Sequence, residues 1–143
     1  MKGDLVVTKM ADELRDFVTN ILLAAGADQW NADGCSEHLV LSNLSGVDTH
    51  GIWTIPSYVE AIRAGELLPT QQPELVRETE TTALVRGNWT FGHVTARLAT
   101  EVAIEKAKAR GVAIASMVEA HHIGRLGHYV EMAAAERLIA MVW

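Results

Sequence analysis

The segment Asp48-Thr49-His50-Gly51 sets a hydroxyl, an imidazole and a glycine side by side directly after a helical run. Imidazole titrates near neutrality, so His50 can give and take a proton at working pH. The Thr49 hydroxyl can hydrogen-bond one ring nitrogen, or relay a proton, and so decide which nitrogen faces a substrate. Gly51 lets another group approach the backbone closely. On composition alone the blander arrangement is the commoner one: Asp48 or Thr49 caps a turn and His50 is solvated. A second group lies further along, His121-His122-Ile123-Gly124-Arg125-Leu126-Gly127, between an apolar run and a helical run. In open α/β sheets ligands bind at the carboxyl ends of strands, where helix N-termini present free N–H groups. The two glycines permit close approach, and Arg125 can pair with a phosphate or a carboxylate. A nucleotide or an acidic substrate is the natural occupant. The alternative is an ordinary strand-to-helix turn whose glycines serve geometry. The stretch is not GxGxxG, so by motif alone its dinucleotide signal is weak.

Six histidines in 143 residues raise the question of a metal. The spacings speak against one: there is no HExxH and no paired cysteine, and His121, His122 and His128 lack the i, i+4 relation that brings two imidazoles to one ion. His38 and His93 read as helix-surface or internally satisfied residues without a role. Cys35 lies in a helical pattern with Leu39 and reads as a small core residue rather than a nucleophile.

The elements that must position these groups are legible from periodicity. Leu14, Phe17, Val18, Ile21 and Leu22 recur at helical spacing, with Thr8 as the expected N-cap, Asp12 and Glu13 in the first turns and Gly26 as terminator. A second helix is expected from near Asp28 through Cys35 and Leu39 to Leu44, ended by Gly46. A third starts at Pro56, turns Val59 and Ile62 inward and stops at Gly65. Residues 67–73 form a linker carrying two of the three prolines. Leu75-Val76-Arg77 and Ala83-Leu84-Val85 then flank Glu78-Thr79-Glu80-Thr81 as a hairpin. A long helix is expected over about 93–110, with Val94, Leu98 and Val102 on one stripe and Gly111 as its stop. A strand over 112–118, a loop over 119–127, a helix over 129–137 and a further apolar strand over 138–143 complete the reading. Such β-α-β crossovers imply parallel strands. An apolar strand at residues 138–143 without a covering neighbour is the basis for expecting the chain to be the N-terminal portion of a longer polypeptide.

The totals exclude several classes. The chain is 49% hydrophobic and 21% charged with a formal net charge of -6, which builds a core and offers no clustered Lys and Arg for nucleic acid. One cysteine excludes an internal disulfide and fits a reducing compartment. No signal-peptide pattern or membrane-length apolar run is present, so a cytoplasmic protein with no membrane partner is expected.

Taken together, LSNLSGVDTHGI, PSYVEAIRAGELLP, VRGNWTFGHVTARLATEVAIEKAKARGVAIASM and HHIGRLGHYVEMAAAERLIAMV, in this order, resemble the type-2 malate/L-lactate dehydrogenase family. That family includes malate, L-sulfolactate, ureidoglycolate and diketogulonate-type dehydrogenases and cyclic-ketimine (piperideine-2-carboxylate) reductases. The resemblance implies an α/β fold: an N-terminal helical region, residues 1–70, followed by part of a non-Rossmann NAD(P)-binding domain of the L-sulfolactate dehydrogenase-like type, residues 71–143. It implies cytoplasmic homodimers, more than twice this long, that move hydride between NAD or NADP and a 2-hydroxy or 2-oxo acid or a cyclic imine. Carried onto this chain, His50 is the expected proton donor, and Thr49 stands where the family has a serine that relays or orients. His122, Ile123, Gly124, Arg125 and Leu126 are the expected cofactor contacts, with His122 as the rival acid. Four residues after the histidine the family has an arginine that binds the substrate carboxylate, and here that position is Thr54. Threonine offers no bidentate cationic fork, so Arg125 or Arg63 substitutes, the substrate differs, or this copy is impaired. A degenerate, non-catalytic binding or oligomerisation module is the alternative expectation, and the 143-residue chain by itself is expected to be inactive.

Overall fold

The computed structural model describes residues 8–143. Three helices come first: α1 (Ala11–Ala24), α2 (Gln29–Leu44) and α3 (Ile55–Ala64). Two short 3-10 turns, Asp48–His50 and Ile52–Thr54, join α2 to α3. A hairpin follows, β1 (Glu74–Glu78) and β2 (Thr82–Arg86), then α4 (Gly92–Arg110), β3 (Ile114–Val118) and α5 (Leu126–Ala135).

The helical core closes on Val18 and Leu22 of α1, Cys35 and Leu39 of α2, Ile55 and Tyr58 of α3, and Leu67 beyond it. Phe91 and Val94 from the start of α4 plug into the same core, which ties the sheet region to the helices. The contact is close because α2 has Gly34 there: a Cβ at that position would lie 2.5 Å from Val94 Cγ1. Burial on α4 is therefore wider than the expected stripe, and residues 92–96 are all buried. The linker is held by buried Asn31, whose Nδ2 donates to the carbonyls of Pro69 and Gln71, while Thr90 Oγ1 donates to Asn31 Oδ1. Two expectations fail at α1. Its N-cap is Met10, not Thr8, because Glu13 reaches back to accept the Met10 N–H, so the helix starts at Ala11. Phe17 faces solvent rather than the core.

The sheet order is β1-β2-β3. β1 and β2 pair antiparallel, with a bulge between Leu75 and Arg77. β2 and β3 pair parallel through the α4 crossover, with Ala83 opposite Ala115 and Arg86 opposite Val118. The carboxyl ends of β2 and β3 therefore lie side by side. Both chains bend there: Asn88, Trp89 and Glu119 take φ of 50°, 56° and 52°, a region costly for side-chain-bearing residues and concentrated at functional sites. Gly87 and Trp89 donate backbone N–H bonds to Val118 and Glu119, which holds the two bends together.

The strand expected over 138–143 does not form. The helix before it ends at Ala135, not near 137, in a Schellman closure: Leu138 N–H donates to Ala133 O and Arg137 N–H to Ala134 O, with Arg137 at φ 62°. The chain leaving that closure meets no strand partner among the described residues, and Ile139, Met141 and Trp143 are exposed. An apolar run without a ladder neighbour leaves its backbone groups to solvent.

Candidate active site

The His50 segment is built by α2 and the turns after it. α2 closes with Gly46 and Val47 donating to the carbonyls of Asn43 and Ser42, and the chain doubles back along the helix end. Asn43 then fixes it on both sides: its Nδ2 donates to Asp48 Oδ1 at 2.6 Å, and its Oδ1 accepts the Ile52 N–H at 2.9 Å. Gly51 fits over that amide only because it has no side chain; a Cβ would stand 2.2 Å from Asn43 Oδ1. The Thr49 hydroxyl lies 3.0 Å from His50 Nδ1. The hydroxyl–imidazole pairing read from the sequence is thus formed, and Asp48 serves Asn43 rather than capping alone.

The second cluster sits where β3 ends. Its backbone packs on the start of α4: a Cβ on Gly92 would meet the carbonyls of His121 and His122 at 2.1 and 2.3 Å. Carbonyl oxygens suit that position because the first N–H groups of a helix carry partial positive charge. Gly124 closes over two imidazoles. With φ 74° it leaves room where a Cβ would lie 2.4 Å from His38 Nε2 and 2.8 Å from His93 Cδ2. His38 Nε2 accepts the Arg125 N–H at 2.9 Å, and the Tyr129 hydroxyl donates to the Ile123 carbonyl. Arg125 turns its guanidinium into a two-pronged pair with Glu131, both distances 2.7 Å. Leu126 opens α5 and is partly exposed.

The tertiary fold brings the two clusters together. The His50 and His122 rings stand 5.6 Å apart, centroid to centroid. Behind them Tyr58, one turn after Thr54 on α3, places its hydroxyl 2.8 Å from His122 Nδ1 and 3.3 Å from His93 Nε2. His93 continues to His38 at 4.7 Å and His38 to His128 at 4.8 Å between ring centroids. His121 lies across Tyr58 at 6.0 Å. All six histidines of the chain thus belong to one aromatic chain of neighbours running from the core to the surface.

His38 and His93 are accordingly not helix-surface residues; they are 3% and 2% exposed. Burial, reinforced by His128, Arg125, His122 and His50, lowers the pKa of His38 to about 3. Burial and the neighbouring imidazoles hold His93 well below the ordinary histidine value. Burial also lowers His121, His122 and His128, with His50 and His121 adding to the effect on His122 and Glu66 opposing it on His121. His122 is therefore a neutral imidazole near neutral pH. Cys35 is fully buried and burial pushes its thiol pKa up, as befits a core residue.

Thr54 donates its hydroxyl to the Gly51 carbonyl at 2.8 Å and offers no charge to a ligand. Arg63 lies exposed in the last turn of α3. Sequence reasoning missed Tyr58, Asn43 and the buried imidazoles. The PSYVEAIRAGELLP stretch contained Tyr58, but its partners are 35 and 64 residues away and no local spacing announces them. Among the described residues no group of three or more His, Cys, Asp or Glu could hold a metal ion, and no helix is long and apolar enough to cross a membrane.

Fold and site together define a mixed α/β protein whose imidazoles gather at the carboxyl end of a parallel strand pair. Residues 10–143 match the malate/L-lactate dehydrogenase family model, and the chain belongs to that family. It is 34% identical over 131 residues to hydroxycarboxylate dehydrogenase B of Escherichia coli (strain K12), an alignment covering 92% of this chain and 36% of that protein. It is 36% identical over 126 residues to L-sulfolactate dehydrogenase of Methanothermobacter thermautotrophicus, covering 88% of this chain and 37% of the relative. Malate dehydrogenase from Entamoeba histolytica superposes with a TM-score of 0.86 at 36% identity, over 91% of this chain and 36% of that one. The chain thus spans little more than a third of the length of the relatives it matches.

Proposed function

We propose that this chain supplies the proton-transfer face of an oxidoreductase that moves hydride between NAD or NADP and a 2-hydroxy or 2-oxo acid, or a related cyclic imine. The observation that carries the proposal is the 5.6 Å approach of His50 and His122, two imidazoles brought to one space from residues 72 positions apart. His50 has its Nδ1 engaged by Thr49, so Nε2 is the atom left to give a proton to the substrate oxygen or nitrogen. His122 faces the same space and is the second candidate, favoured by its tie to Tyr58.

The loop at residues 122–126 fits one flank of a dinucleotide. It follows β3, and α5 begins with no side-chain cap on its N–H groups. Arg125 fits less well as a phosphate partner, because Glu131 already occupies its fork. When bound, the nicotinamide supplies or accepts the hydride; the protein supplies the proton and the setting for developing charge. Thr54 brings only a hydroxyl to the substrate side. The same proposal includes the division into a helical region, residues 1–70, and a cofactor-binding region, residues 71–143. It also includes a cytoplasmic homodimer as the working form.

The test is oxidation of NADH and NADPH by the whole protein with a panel of 2-oxo acids and cyclic imines. Turnover with at least one is expected, and none with any would sink the reading. In the same assay His50→Ala should lower kcat by about 10²–10⁴-fold, the usual contribution of a positioned acid. An undiminished rate would move the proton-donor role to His122.

A further inference from the structure

The Tyr58 hydroxyl stands between two imidazoles and carries one proton, so it can donate to only one of them. With the Tyr58 proton on one of the rings, two arrangements satisfy both contacts; a third, with both rings donating to the Tyr58 oxygen and its proton turned toward Thr54, puts an N–H donor at 2.8 Å, shorter than the usual N–H···O distance of about 2.9–3.0 Å. In the first, His93 Nε2–H donates to the Tyr58 oxygen, and Tyr58 O–H donates to His122 Nδ1. In the second, His122 Nδ1–H donates to Tyr58, and Tyr58 donates to His93 Nε2. The other nitrogen of His93 decides between them. It is buried and meets no partner among the described residues. In the first arrangement that Nδ1 is a bare lone pair; in the second it is a buried N–H with no acceptor among the described residues. Orphaned buried N–H groups are the rarer of the two in folded proteins. Protonating both nitrogens of His93 is worse again, because burial and the rings of His38, His122, His121 and His128 all oppose the cation. The shorter of the two distances, 2.8 Å to His122, is also the one that an O–H donor makes in this arrangement.

We infer that His93 and Tyr58 are positioning residues that hold His122, whose ring stands 5.6 Å from that of His50, in a single tautomer with Nδ1 accepting from Tyr58 and the proton on Nε2. No described side chain bonds that Nε2, and His122 is only partly covered. A neutral imidazole so held meets a substrate oxygen as a hydrogen-bond donor. That separates the two histidines by role: His50 delivers the proton and His122 polarises the group that receives it. The role of the Nε2–H toward substrate rests on the proposed function; the direction of the proton chain is a property of the resting fold.

Two-bond ¹H–¹⁵N correlation of the imidazoles in this chain, at neutral pH, reads the tautomers directly. The expected spectrum shows His122 protonated at Nε2 and bare at Nδ1, and His93 protonated at Nε2. Tyr58→Phe should turn His122 into a mixture of tautomers, and His93→Gln, which keeps an N–H donor near the Nε2 position, should preserve the wild-type state. A wild-type His122 protonated at Nδ1, or already a mixture, would overturn the assignment even if no variant folds, as would a Tyr58→Phe protein with His122 unchanged. In the whole protein Tyr58→Phe should lower kcat about ten-fold with KM within about two-fold, the split expected of a transition-state contact. Absence of all turnover together with the expected spectrum would overturn the proposed function and leave the tautomer assignment standing.

Discussion

Gly124 is the residue on which the site closes. Its backbone lies against His38 and His93, and its φ of 74° lies in the left-handed region that favours glycine. Gly124→Ala should destabilise the fold by about 2 kcal/mol, through left-handed strain and overpacking against two buried rings. Urea denaturation measures the loss, and faster amide exchange at Arg125 would show that its bond to His38 Nε2 is the one broken. At this scale the sequence announced His50, Thr49 and the residue types of the His122 loop. It did not announce that His38 and His93 are buried, because the groups covering them come from α3, α5 and the loop after β3. Thr54 is the opposite case: its missing charge was plain from the sequence, and the structure adds only that its hydroxyl is spent on Gly51.

Among the elements, the two 3-10 turns between α2 and α3 are the joint that aims His50. Asn43 fastens both through side-chain bonds to Asp48 and to the Ile52 N–H. Asn43→Ala removes both and should cost about 1–3 kcal/mol, since the Ile52 N–H is left without its partner. The fall in urea midpoint tests this, and an unchanged midpoint would mean that water replaces the amide. Helices with glycine terminators, the hairpin and the β2-α4-β3 crossover were all readable, because periodicity and turn residues are local signals. The 3-10 turns were not, since three-residue helices have no period to detect. The apolar run over 138–143 reads as a strand in the sequence, yet forms none, for a related reason. An apolar run tells of burial or pairing, but pairing needs a neighbour, and none is present among the described residues.

Across the whole molecule, the buried imidazoles make stability depend on pH. His38, at about 3, and His93 have folded-state pKa values below the ordinary 6.5 of an unfolded histidine. The unfolded chain therefore binds protons that the folded chain refuses, and acid favours unfolding. Stability should be flat with respect to these groups above about pH 6.5 and fall as pH drops toward 3. His38 alone removes on the order of 4 kcal/mol over that window. Urea midpoints at pH 7.5 and 5 should show the fall, and His38→Gln should flatten it; equal midpoints at both pH values would contradict the burial of neutral rings.

Residue types and their local order determined the elements of this protein, its terminators and its two candidate clusters, because helix period, turn chemistry and acid–base character reside in short stretches of chain. Only the tertiary structure decided that the clusters face each other, that Tyr58 ties His122 to His93 and that His38 and His93 are buried neutral. Those are relations between residues 35 to 87 positions apart, and they exist only once α2, α3 and α4 have packed into one core.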